Sequence, residues 1–71
     1  MHHPDRDLPT VPQVLTEREQ QIVLLVCTGV GNKTIAAKLG VTEGTVKAHL
    51  NKIYRKLGMR NRAALIISMR K

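Results

Sequence analysis

Apolar residues in this chain recur at helical spacing in four stretches, each opened by a capping residue and three of them closed by glycine. The first opens on Thr16-Glu17-Arg18-Glu19, a capping box in which the hydroxyl and the second carboxylate satisfy each other's backbone amides. It is expected to run to about Thr28 with Ile22, Leu25 and Val26 on its core face; Val23 and Leu24 fall off that stripe, which predicts cover on more than one side. Gly29 suits a left-handed stop, and Gly31 loosens the loop after it. Asn32 is the expected cap of a second helix reaching Leu39, with Ile35, Ala36 and Leu39 inward. Gly40 then supplies a turn, and Thr42 caps a third helix from Glu43 to Leu57. Val46, Leu50, Ile53 and Leu57 form its inner stripe. Gly58 ends it, and Asn61 caps a fourth helix over Arg62 to Met69. No stretch alternates with the period of a strand, so the fold class is all-α: a four-helix domain with no winged element.

Residues 1–14 lack this periodicity and hold all three prolines, Pro4, Pro9 and Pro12. They read as a flexible linker or N-terminal tail, leaving residues 15–71 as the domain. Composition sharpens the picture. With no Phe or Trp, the core has to be built from Leu, Ile, Val, Ala and Met. Such a small chain offers little material for a catalytic cleft. Twelve basic residues face five acidic ones, for a net charge of +7. From Gly44 to Lys71 there is no acidic residue at all, a balance that attracts polyanions or anionic membranes.

Other chemistries find no footing. Cys27 lies in the apolar run Ile22–Cys27 and suits a small buried hydrophobe better than a nucleophile. His49 has no Cys or His at ligand spacing, and His2 and His3 sit at a proline-flanked terminus, so no metal is expected. No set of nucleophile, base and acid can be assembled; neither catalytic residues nor a cofactor are expected, and the chain does not read as an enzyme. The longest apolar run is too short to span a membrane and no signal peptide is visible, which makes the expected compartment the cytoplasm, in association with the nucleoid.

The middle of the chain has the layout of a helix-turn-helix. Ala36 is small enough for two helix axes to approach, Gly40 makes the turn four residues later, and Val46 plugs the crossing from the other helix. On a wheel with Val46 at the origin, Leu50, Ile53 and Leu57 fall within about 40° of it. Gly44, Lys47, Ala48, Asn51, Lys52 and Arg55 lie on the far side. That face carries donors and small residues but no carboxylate. A lysine donates to guanine, an asparagine pairs with adenine and a small apolar side chain meets a thymine methyl. Base contacts are therefore expected from Lys47, Ala48 and Asn51. Phosphate contacts are expected from Asn32, Lys33 and Thr34, where open amides favour an anion, and from Thr45, Lys52, Arg55, Lys56, Arg60 and Arg62.

Four runs carry a resemblance to a known family: Leu15-Thr16-x-Arg18-Glu19, Gly29-x-x-Asn32-Lys33-x-Ile35-Ala36-x-x-Leu39, Thr42-Glu43-x-Thr45-Val46-Lys47-x-His49 and Ile53-x-x-Lys56-Leu57-Gly58. Together they closely resemble the LuxR/FixJ-type, NarL-like DNA-binding domain from Leu15 to about Met69. The resemblance implies a four-helix domain at the C-terminal end of bacterial transcription regulators, among them two-component response regulators and quorum sensors. It implies base contacts at Lys47, Ala48 and Asn51, the last standing where the family often has lysine or arginine. It implies phosphate contacts around Asn32, Lys33, Thr45 and the loop before the last helix. It also implies that the last helix forms a dimer contact. The residues agree with this: Leu65, Ile66 and Met69 make one apolar side, while Ala63, Ala64 and Ile67 leave a second, the expected dimer interface. The expected partners are double-stranded DNA carrying an inverted repeat, a second copy of the chain, and RNA polymerase.

Two other readings stay open on sequence grounds. A sigma-factor region 4 has a similar opening cap and reads promoter DNA within RNA polymerase. A basic protein-interaction or membrane-surface module uses a charged helix differently, but it needs bulky apolar residues beside the basic face, and here those belong to the Val46–Leu57 stripe. RNA recognition lacks stacking platforms, since Tyr54 is the only aromatic residue.

Overall fold

The computed structural model describes Pro12 and residues 14–70. The expected N-terminal tail, with His2 and His3, lies almost entirely outside the described residues. Four helices follow in order: α1 (Glu17–Cys27), α2 (Asn32–Leu39), α3 (Glu43–Leu57) and α4 (Arg62–Met69). Among the described residues there is no strand and therefore no wing. α3 packs against both α2 and α1, while α4 turns back chiefly onto α1.

The helix ends follow local chemistry. Thr16 Oγ1 accepts from the Glu19 amide at 3.1 Å, and Glu19 Oε1 accepts from the Thr16 amide at 2.8 Å, completing the capping box. Thr42 Oγ1 accepts from the Thr45 amide, and Asn61 Oδ1 from the Ala64 amide, at the starts of α3 and α4. Gly40 and Gly58 both adopt left-handed backbone, with φ of 71° and 66°. That lets Val41 donate to the Ala36 carbonyl and Met59 to the Tyr54 carbonyl, closing α2 and α3 with the same five-residue return. The expected cap of α2 is corrected. Gly31 occupies the N-cap, no side chain caps this helix, and Asn32 is its first helical residue. The Asn32 side chain is taken up by Arg62 instead.

The core is aliphatic, as the composition requires. Ile22, Val23 and Val26 of α1, Ile35 and Ala36 of α2, Val46, Leu50 and Ile53 of α3, and Leu65 and Met69 of α4 are buried together with Leu15. Leu25, Leu39 and Leu57, expected inward, are only partly buried. Val23 replaces Leu25 as an inward residue of α1, a helix packed against α2, α3 and α4 together. Leu24 is left 42% exposed, so the expected second-sided cover of α1 reaches Val23 and not Leu24. Cys27 packs partly buried against the core, and burial pushes its thiol above the ordinary value.

One charge sits in this core. Glu19 is 2% exposed, and its Oε1 accepts from Lys56 Nζ at 2.8 Å as well as from the Thr16 amide. A buried carboxylate is tolerable only with donors of this kind. The pair joins the first turn of α1 to the last turn of α3. The Lys56 ammonium, then the Thr16 amide, hold the Glu19 carboxyl below its ordinary value of 4.5, against burial that pushes it up. A carboxyl whose value is lowered by folding adds stability above the unfolded value and loses it as pH falls through the folded one. Thermal unfolding followed by circular dichroism is therefore expected to show the melting temperature dropping as pH falls below about 4.5. Glu19→Gln should lower stability at neutral pH by about 1–3 kcal/mol and flatten that acid dependence. An unchanged acid slope in the variant would assign the dependence to other carboxylates.

Candidate nucleic-acid interface

The outer face of α3 is built by the burial of its inner one. Val46, Leu50 and Ile53 are buried against α1 and α2, which fixes the rotation of the helix about its own axis. Lys47, Ala48 and Asn51, each one position beyond a buried residue or facing away from the stripe, are consequently exposed. The cap at Thr42 and the left-handed Gly40 hold the start of α3 close to the end of α2. Gly44 and Ala48 keep this exposed face low, so that flanking side chains project past it. His49 is half-buried on the flank of the helix.

Around this face lies a ring of donors whose freedom differs from residue to residue. Lys33 and Thr34 are exposed in the first turn of α2, where no side chain caps the amides. Lys52 and Arg55 are exposed on α3 and, with the stem of Lys56, line an open depression of about 300 Å³. Arg60 is exposed in the turn before α4. Thr45 is half-buried, and its hydroxyl lies 3.0 Å from that of Thr42. Whichever of the two donates, one hydroxyl proton is used between them and one stays free, so the pair offers a single outward donor.

Two of the expected phosphate donors are committed inside the fold. Lys56 is held by Glu19. Arg62 donates from Nη1 to Asn32 Oδ1 and from Nη2 to the Val30 carbonyl, both at 2.7 Å. It thereby ties the start of α4 to the loop before α2. Neither link was visible in the spacing of residues, since the partners stand 37 and 30 positions apart. Burial pushes the Tyr54 phenol up, and the positive charge of Arg62 draws it partly back.

α4 buries Leu65 and Met69 and leaves Ile67 66% exposed. Ala63, one turn before Ile67, is exposed, and Ala64 is half-buried. No helix among the described residues is long and apolar enough to cross a membrane.

A groove-width helix, uncovered and free of carboxylates from Gly44 onward, seated on a glycine turn after a second helix, defines a helix-turn-helix DNA-binding domain. The profile of the family described as bacterial regulatory proteins, luxR family, matches residues 13–69, and the chain belongs to that family. It is a family of DNA-binding transcription regulators, not a class of enzymes, and membership decides against the sigma-factor reading. The chain is 49% identical over 57 residues to the transcriptional regulatory protein LnrK of Bacillus subtilis (strain 168), covering 79% of this chain and 26% of that protein. It is 44% identical over 54 residues to the nitrate/nitrite response regulator protein NarP of Escherichia coli (strain K12), covering 76% of this chain and 25% of that protein. A nitrate/nitrite response regulator protein homolog of Haemophilus influenzae is 42% identical over 53 residues, 75% of this chain and 26% of its own length. The chain spans about a quarter to a third of the length of the curated relatives it matches.

Proposed function

We propose that this chain is the effector domain of a response regulator, binding a specific duplex site with α3 in the major groove. The observation that carries this is the outer face of α3: Lys47, Ala48 and Asn51 uncovered side by side on a helix whose other face is sealed in the core. Lys47 donates to guanine, Asn51 pairs with adenine and Ala48 packs on a thymine methyl. Lys33, Thr34, Thr45, Lys52, Arg55 and Arg60 grip phosphates on either side, with the uncapped first turn of α2 adding backbone amides. Asn32 joins them through its side-chain amide. Lys56 spends one ammonium N–H on Glu19 and offers the others to a phosphate.

Ala63, Ala64 and Ile67 pair two copies through α4, which suits an inverted repeat with half-sites about 10 base pairs apart. Two relatives are named nitrate/nitrite response regulators, which supports reading this chain as the DNA-binding part of such a regulator. A protein with this role works in the cytoplasm on the nucleoid and meets RNA polymerase at the promoter.

Selection of bound duplexes from a random pool by the purified chain should return a palindromic site; a pool that stays random would sink the proposal. On that site, Lys47→Ala should weaken binding by about 1–3 kcal/mol and change random DNA much less. Equal losses on both would make Lys47 a phosphate contact. Lys33→Ala should weaken both alike and reduce the salt slope by about one unit, read from binding isotherms at several salt concentrations. Ile67→Asp should remove the advantage of a two-half-site duplex over a single half-site. Because Ile67 is 66% exposed, unfolding should shift by no more than about 0.5 kcal/mol. Retained cooperativity would place the pairing surface elsewhere.

A further inference from the structure

Arg62 was expected to touch phosphate directly, yet both ends of its guanidinium are occupied within the chain. A guanidinium only donates, so Asn32 has to turn Oδ1 toward it and Nδ2 away from it. Nδ2 has no partner among the described residues, and no buried side-chain nitrogen or oxygen there lacks one, so Nδ2 meets solvent. The second guanidinium bond, to the Val30 carbonyl, holds the loop entering α2. Asn32 is the first residue of α2 and directly precedes Lys33 and Thr34.

From this we infer that Arg62 is a positioning residue for DNA binding: it locks the Asn32 amide with its NH₂ group outward, as a neutral donor to a backbone phosphate oxygen. The inference rests on the DNA-binding mode proposed above. Its chemistry is specific to the fork. Two acceptors on different segments are spanned by one planar group, which a lysine ammonium does not reproduce. Since Asn32 carries no charge, its contact adds affinity without releasing a counterion. The Arg62 guanidinium keeps its positive charge, because both of its acceptors are neutral, so the charge-preserving change to lysine is what separates geometry from charge.

These points separate a positioning role from direct phosphate contact and from plain structural support. In the free protein, the side-chain amide resonances of Asn32 should be distinct in the wild type and move toward the free-amide position in Arg62→Gln, with the rest of the spectrum still folded. On duplex DNA, below the melting temperature of each variant, Arg62→Gln should lower affinity by about five- to ten-fold. In Arg62→Lys, which keeps the charge, the salt slope should stay that of the wild type. Arg62→Lys should also lose affinity although it keeps the charge, and in an Asn32→Ala background it should have no further effect. Rescue by lysine would show that the charge alone suffices, as a direct phosphate contact would require, and would overturn the inference. A lowered melting temperature with unchanged affinity would overturn it in favour of structural support alone. So would Asn32 amide signals that ignore the substitution. Failure of the wild type to bind any duplex refutes the DNA-binding mode itself, and the resonance comparison in free protein still decides whether the lock exists.

Discussion

Val46, Leu50 and Ile53 have to leave water while Lys47, Ala48 and Asn51 on the same helix have to remain in it. The whole domain is arranged around that division of α3. α1 and α2 exist as cover for the inner stripe, and the left-handed turn at Gly40 lets α2 arrive without shielding the outer face. Each buried aliphatic side chain contributes about 1.5–3 kcal/mol, and a chain with no Phe or Trp has few of them. The same burial that stabilises the domain therefore sets the angle at which its reading face is shown. A substitution that loosens the stripe rotates the face as well as weakening the fold.

Charge is handled differently on the two sides of α3. Outward, basic groups are left to solvent with no carboxylate among them from Gly44 onward, which keeps the potential positive where a polyanion approaches. Inward, Glu19 and Lys56 cancel one another at the junction of α1 and α3. Arg62 occupies an intermediate place, charged but turned into the molecule to hold Asn32 and Val30. The twelve basic residues are thus not one population. Some supply field, one neutralises a buried acid and one fixes geometry.

α4 links these arrangements to assembly. It lies mainly on α1 and leaves Ala63 and Ile67 exposed. Its first residue nevertheless clamps the loop that begins α2. The helix proposed to pair two copies is in this way bonded to the element proposed to grip phosphate.

All four helices, their glycine stops and the capping residues Thr16, Thr42 and Asn61 were legible in the chain by itself, as was the outward face of Lys47, Ala48 and Asn51. These features depend on interactions between residues three to five apart, and such spacing is written directly in the order of the residues. Asn32 shows where that stops. Its identity suits a cap, but a distant guanidinium claims its oxygen, and Gly31 takes the cap instead. Val23 displaced Leu25 because α2, α3 and α4 all pack against α1, and buried Glu19 gained its Lys56 partner only once α1 met α3. Local order determined the elements and the face that reads. Which charged groups remain free to bind was decided by packing, because that depends on partners brought together from 30 and 37 residues away.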